Sequence, residues 1–473
     1  NFYKYFSALV SYDNNQNLKS LKFFNSSKDL KESHQSYIKN YLFSLILNGK
    51  IDRAIAEIKS LKNKNFSDFF EAHLLLVLDG IKKKDYKIVN FHIDKLKKHK
   101  ERGTFEYIIS TGLEEYVYLF NNNEITKDLS NDFGNFSLIN KSFQNCYLKN
   151  SKTESYFLNL INSEEIGYSR YIFFYINFLL SQQKFSEVEN FYENIDYLDS
   201  TLLVAQSKKW IEDKNYNNFK EIFSCQNPND VIAEFIFVIA NLYSSEGFLK
   251  ESEFYVNLSS YLNPKFIFNN SLSAENYYKS KNYEQSKRIL NKFTKKNKIY
   301  HWYKIKKIAE IIKKEKNFEA SLKYIQNEFN KIENPSLKII YDMANILKGF
   351  EKYELSIKYY SKILLELDDK SLIYADILYR RGGSYERLGE EKKSDTDMLL
   401  SLEINPDEPY VLNYLAYSWL ERNYKIDTAI EMLKQAYEQK QNDPYIIDSI
   451  GWAYYLIGDY EDAEGLLKKA VQL

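Results

Sequence analysis

Polar and apolar positions along this chain follow a long rhythm. A residue pair, most often polar then aromatic or aliphatic, recurs at Asn17-Leu18, Lys50-Ile51, Asp85-Tyr86, Lys184-Phe185, Asn215-Tyr216 and Phe248-Leu249. It continues at Asn282-Tyr283, Asn317-Phe318, Lys352-Tyr353, a degenerate Glu390-Glu391, Lys425-Ile426 and Asp459-Tyr460. The second members are spaced 33, 35, 99, 31, 33, 34, 35, 35, 38, 35 and 34 residues apart. Each pair reads as the turn between two helices of one unit, and so steady a period predicts a stacked helical array. The spacing of 99 is close to three periods, so two poorly matched units fall there. Twelve visible turns and two hidden ones then make fourteen units. The polar stretch from Asn121 to Ser137 carries no helical period and predicts a loop. The chain therefore divides into regular units over 1–103, irregular ones over 104–170 and a regular array over 171–473.

Small residues sharpen this reading. Between Pro409 and Leu473 one pattern is written twice: Pro409 and Pro444, Leu415-Ala416 and Ile450-Gly451, Ala429 and Ala463, Ala436 and Ala470. Proline at the first helical position needs no N–H partner. Gly451 and Ala463 would let two helices cross closely, while Tyr454, Tyr460 and Leu467 would fill the space between units. Ser252, Ser286, Ser321, Ser356 and Ser394 stand where alanine is usual in other units and are nearly as small. In Asn263-Pro264 and Asn405-Pro406 the residue before proline is pushed out of the helical region, which ends a helix. These residues resemble the tetratricopeptide repeat, a helix–turn–helix of roughly 34 residues. The resemblance implies an all-α fold, a right-handed superhelical solenoid.

Composition agrees with long helices. Glycine is only 14 and proline only 6 of 473 residues, which disfavours an all-β chain with many tight turns. The abundance of Lys, Asn, Tyr, Phe and Ile fits an A/T-rich genome. Lys+Arg and Asp+Glu both number 65, so net charge gives no argument for nucleic acid or an anionic membrane. Cys146 and Cys225, 79 residues apart, belong to no zinc-like cluster. Two buried free thiols are the default expectation, with one disulfide as the alternative. The longest apolar run, Tyr171 to Leu180, is half the roughly 18 residues that a membrane span needs. The chain starts at Asn1 without Met and stops inside a unit, so we expect both ends to be cut. A signal peptide or lipid anchor could have preceded Asn1.

No catalytic, cofactor or metal signature is specific. His92 and His99 lie seven apart without the i+3 or i+4 partner of a helical metal site, and His34, His73 and His301 stand alone. Gly382-Gly383 falls at the small-residue position of a first helix, without a following Lys-Ser/Thr, which excludes a phosphate loop. From Lys279 to Lys316 there are 14 basic residues against 3 acidic ones, and from Asp443 to Leu473 there are 6 acidic against 2 basic. A solvated face is the ordinary reading of each, and a patch steering a charged partner the functional one. Tyr300, Trp302 and Tyr303 in the basic stretch would suit stacking on single-stranded nucleic acid, but such helices need aromatics for packing.

In an array of this kind the first helices line the concave side. The expected partner-binding groove is Tyr410, Asn413, Tyr417, Glu421, Tyr445, Asp448, Trp452 and Tyr455, together with Leu420 and Leu456. An aromatic groove with isolated Asn, Asp and Glu suits an extended or helical peptide. A subfamily clamps a C-terminal carboxylate with Lys and Asn at these places; here Asn413-Tyr417 and Asp448-Trp452 bring no Lys, which argues against that ligand. LNYLAYSWLERNYKIDTAIEMLKQAYEQKQNDPYIIDSIGWAYYLIGDYEDAEGLLKKAV, with one extra residue within Asn423–Lys425, resembles the C-terminal repeats of long bacterial cell-envelope tetratricopeptide proteins. FSALVSYDNNQNLKSLKFFNSS is similar to their first repeat. That resemblance implies a non-enzymatic scaffold, without cofactor or metal, in the periplasm or at the outer membrane. It would hold a protein or peptide partner such as a periplasmic protease or other envelope enzyme, and touch the membrane only through a lost N-terminal anchor. The alternatives are a cytoplasmic location and a regulatory subunit whose groove takes nucleic acid or glycan.

Overall fold

A computed structural model describes residues 2–99, 104–126, 133–162, 169–193, 195, 197–198 and 200–473. The described residues form helices and no strands. They divide into two compact units, Asn1–Ser321 and Leu322–Leu473.

Unit 1 begins with three hairpins: α1 (Phe2–Asp13) with α2 (Asn17–Asn25), α3 (Gln35–Leu47) with α4 (Ile51–Ser60), and α5 (Phe70–Lys83) with α6 (Tyr86–Leu96). α7 (Phe105–Asn122), α8 (Asn135–Tyr147), α9 (Thr153–Ile161), α10 (Arg170–Ser181), α11 (Phe185–Glu193), α12 (Leu202–Glu212) and α13 (Asn217–Ile222) follow. The expected loop over 121–137 is thus trimmed at both ends by α7 and α8, and its positions 127–132 lie outside the described residues. Next come α14 (Pro228–Ser245), α15 (Leu249–Leu262), α16 (Asn270–Lys279), α17 (Tyr283–Leu290) and α18 (Lys298–Glu315). α19 (Phe318–Phe329) runs across the boundary.

The hairpins form because the turns cap them. The Asp85, Asn282, Asn317 and Asp459 side chains accept hydrogen bonds from the backbone N–H three residues on, satisfying donors left over at a helix start. The serines do more than stay small. Ser20, Ser286 and Ser321 each donate to the carbonyl of Ala8, Ala274 and Ala309, twelve residues earlier on the first helix, at 2.9, 2.9 and 2.7 Å. Each hydroxyl therefore ties the two helices at their closest crossing while meeting its own hydrogen-bonding need in the core.

Unit 1 folds back on itself. α3 packs on α15, with Phe43 stacked on Phe254 at 4.5 Å, and α5 and α7 pack on α14. Lys250 donates to the Tyr12 carbonyl, Lys82 to the Tyr261 carbonyl, and Asn282 to the Asn15 carbonyl across 267 residues. Gly112 on α7 makes room for Phe235: a Cβ there would lie 2.4 Å from its ring. At the centre, Arg170 grips Glu234 through two bonds of 2.8 and 2.7 Å and reaches Asn269 at 2.8 Å. The faces of Phe174, Phe237 and Phe266 surround its guanidinium. A buried carboxylate such as Glu234 persists as an ion only when paired and hydrogen-bonded in this way.

The cysteines correct the expectation of free thiols. Cys146 at the end of α8 and Cys225 between α13 and α14 form a disulfide with Cα atoms 5.7 Å apart. Gln226 donates to the Cys146 carbonyl beside it. Tyr300, Trp302 and Tyr303 are buried in the core, so they offer no faces to nucleic-acid bases.

Unit 2 is a run of four hairpins: α20 (Leu337–Gly349) with α21 (Tyr353–Leu364), α22 (Leu372–Arg387) with α23 (Glu391–Ile404), α24 (Pro409–Glu421) with α25 (Ile426–Gln439), and α26 (Pro444–Leu456) with α27 (Tyr460–Gln472). Its bonds join neighbours: Tyr341 to Asp376, Tyr410 to Asp443 and Trp452 to Glu421, 35, 33 and 31 residues apart. Gly382 and Gly451 sit at the tight crossings, where a Cβ would lie 3.1 Å from Met398 Cγ and 3.0 Å from Leu467 Cγ. Leu467 lies against Gly451 within its own hairpin, and Tyr460 is 65% exposed and fills no gap.

Candidate partner-binding cleft

In unit 2 the first helices α22, α24 and α26 share a cleft of about 480 Å³. Five of the eight residues expected in the groove line it: Asn413, Tyr417, Glu421, Tyr445 and Asp448. They converge because first helices stack in register, so positions 35 residues apart face one space (Asn413 and Asp448). Trp452 stands at the edge, donating its indole N–H to Glu421 at 3.0 Å and stacking on Tyr455 at 5.3 Å. Tyr410 is tied to Asp443 at 3.1 Å, outside the cleft. Leu420 is a correction: at 2% exposure it belongs to the core, not to the groove.

The cleft reaches further than the last two hairpins. Tyr414 donates to Glu386 at 3.0 Å, and Arg422 joins Asp395 at 2.7 Å and Glu391 at 3.4 Å. Sequence reading missed these residues because it compared only the last two first helices. Gly383, one step on from the crossing glycine, leaves space that the Lys348 ammonium occupies, 2.8 Å from where a Cβ would stand. Burial, with Arg380 and Arg387 nearby, pushes the Lys348 pKa down to about 8. Thus a lysine does stand beside this cleft, on an earlier first helix than the two that the sequence reading compared.

Two features describe what the cleft can hold. Asn413 Oδ1 is buried without a hydrogen-bond partner, an acceptor facing the cost of desolvation until a donor arrives. Burial, with Glu421 and Asp448 beside it, raises the Tyr417 phenol above its ordinary pKa, so it stays neutral. Exposed Tyr445 and Tyr417 supply apolar faces, and Glu421 and Asp448 supply negative charge. This lining suits a main-chain N–H and a cationic or aromatic side chain better than an anion. Among the described residues no cluster of His, Cys, Asp and Glu has the arrangement of a metal site, and no helix is long and apolar enough to cross a membrane.

The capped hairpins, their period and their small-residue crossings define a helical repeat protein of the tetratricopeptide type. The TPR repeat-containing protein PA4667 of Pseudomonas aeruginosa is 31% identical to the chain over 97 residues. That stretch is 20% of this chain and 16% of that relative's length. No protein-family model matches. Among solved structures, the anaphase-promoting complex hetero-tetramer Cut9–Hcn1 is similar at 12% identity and a TM-score of 0.34, over 95% of this chain and 96% of that one. MamA is similar at 17% identity and a TM-score of 0.28, over 35% of this chain and 93% of that one.

Proposed function

We propose that the chain is a non-enzymatic scaffold that holds a protein partner by an extended segment laid in the unit 2 cleft. The observation that carries this reading is the unpartnered Asn413 Oδ1 in a cleft rimmed by Tyr417, Tyr445 and Asp448. Once the Asn413 amide turns outward a peptide N–H pairs with its oxygen, and a basic or aromatic side chain meets the carboxylates and phenol rings. The partner class is a protein of the bacterial envelope, and the chain works in the periplasm or at the outer membrane. Support for the location comes from the Cys146–Cys225 disulfide, a bond typical of oxidising compartments, and from the envelope-type sequence resemblance.

The test is short-range crosslinking in cells, comparing the native chain with Tyr417→Ala/Asp448→Ala. One envelope protein captured by the first and lost by the second supports the reading. Capture unchanged by the double substitution moves the site elsewhere, and recovery of the chain in the cytosolic fraction removes the location.

A further inference from the structure

A second cleft, of about 500 Å³, opens on unit 1 between α4, α5 and α6, away from the unit 2 cleft in sequence and in chemistry. Its volume lies in the range of small-molecule sites. Ile58, Leu76, Ile88 and Phe91 give it apolar walls. Lys59, Lys64 and Lys95 stand around it. Lys59 is paired with Asp79 at 2.6 Å, whereas Lys64 donates to a backbone carbonyl and Lys95 lies against the Phe91 ring.

Into this space runs a wired pair of histidines. Buried His73 meets Asp68 through Nε2 at 2.7 Å and His92 through Nδ1, with the two Nδ1 atoms 3.0 Å apart. The Asp68 carboxylate accepts the His73 Nε2 proton, and whenever His73 is neutral its Nδ1 accepts from His92 Nδ1. In that state His92, which lines the cleft, keeps its lone pair on Nε2. A proton taken up there makes His92 a cation and donor, with the charge relayed toward Asp68. Surrounding lysines oppose a metal ion at this lone pair and favour an anion.

We propose that this cleft binds a small carboxylic acid with an apolar body. Lys64, Lys95 and protonated His92 hold the carboxylate, and the walls hold the body. Without ligand, burial, His73, Lys95 and Lys59 keep His92 neutral, with its pKa lowered to about 4. An entering carboxylate reverses that balance, so binding takes up a proton. The charged groups facing His92 are Lys59 from α4, Lys64 and Asp68 from the segment after it, His73 from α5 and Lys95 from its own helix; Asp79 acts through its pair with Lys59.

The test is calorimetric titration of the full chain with octanoate near pH 6 and pH 8, each in two buffers of different ionisation enthalpy. Octanoate should bind about tenfold or more tightly at the lower pH, with proton uptake, as linkage requires. Octanol, which has no charge, and acetate, which has no body, should not bind. Lys64→Gln/Lys95→Gln should weaken octanoate by about tenfold. His92→Gln should remove the pH dependence, and thermal unfolding of both variants should stay cooperative. The proposal falls if octanoate does not bind the folded chain, if octanol binds equally, or if His92→Gln keeps the pH dependence.

Discussion

In unit 1, Asn282 reaches back 267 residues to the carbonyl of Asn15; in unit 2, Trp452 reaches 31 residues to Glu421. Both units use the same hairpin, but unit 1 has spent its inner surfaces on itself. α3, α5 and α7 lie against α14 and α15, where an open array would offer free first helices. Unit 2 stacks neighbour on neighbour and leaves the first-helix faces of α22, α24 and α26 for a cleft. A repeat array can therefore become a compact body or a binding surface with the same local rules, depending on whether distant units meet.

Four variants would break or sharpen this contrast. The largest effect is expected from Arg170→Met, which leaves Glu234 buried and uncompensated and should cost unit 1 about 3–5 kcal/mol. Hydrogen exchange should show protection lost throughout α10, α14 and α16 and kept in α24–α27. Cys146→Ser/Cys225→Ser, or reduction, should cost about 2–4 kcal/mol in denaturant unfolding, again in unit 1 alone. Gly451→Leu drives a side chain into Leu467 and should destabilise unit 2 by roughly 1–3 kcal/mol, lowering its Tm while unit 1 is unchanged. The last effect is electrostatic. Burial raises the pKa of Glu253 on α15 from 4.5 to about 7. A raised acid favours the folded state fully below pH 4.5, and that stability is lost as pH rises through 7. Unit 1 should therefore soften between those values, and Glu253→Gln should flatten the slope of Tm against pH.

Local features were legible in the sequence because they are written locally. Every turn pair from Lys50-Ile51 to Asp459-Tyr460 stands at the start of a second helix or within two residues of it. Asn413, Tyr417 and Asp448 reach one cleft because a fixed period fixes which side chains align. What escaped depends on distance along the chain. The folding back of unit 1 is carried by pairs such as Phe43–Phe254, which no local period encodes. Cys146 and Cys225 meet because α8 and the segment before α14 converge, not because of their spacing. His92 was compared with His99 along one helix, while its partner His73 sits across the hairpin on α5, 19 residues away. Pairing residues across the two helices of one hairpin, rather than along one helix, would have brought it into view. Leu420 was misplaced because the helix face turns from groove to core within one turn.

The turns themselves carry one more consequence. Two residues before the second helix the backbone is left-handed in many hairpins, and Gly49, Gly247, Gly389 and Gly458 take that place in four of them. Lys84, Gln183, Lys281 and Glu351 take it in four others, with φ of 59, 61, 58 and 57°, all solvent-exposed. Each side chain there holds roughly 1 kcal/mol of backbone strain that glycine would release. Thermal headroom is thus distributed along the chain at exposed turn residues that line neither cleft. Three of the four lie in unit 1 and one in unit 2, so the tolerance of each to heat could be raised separately without touching what either binds.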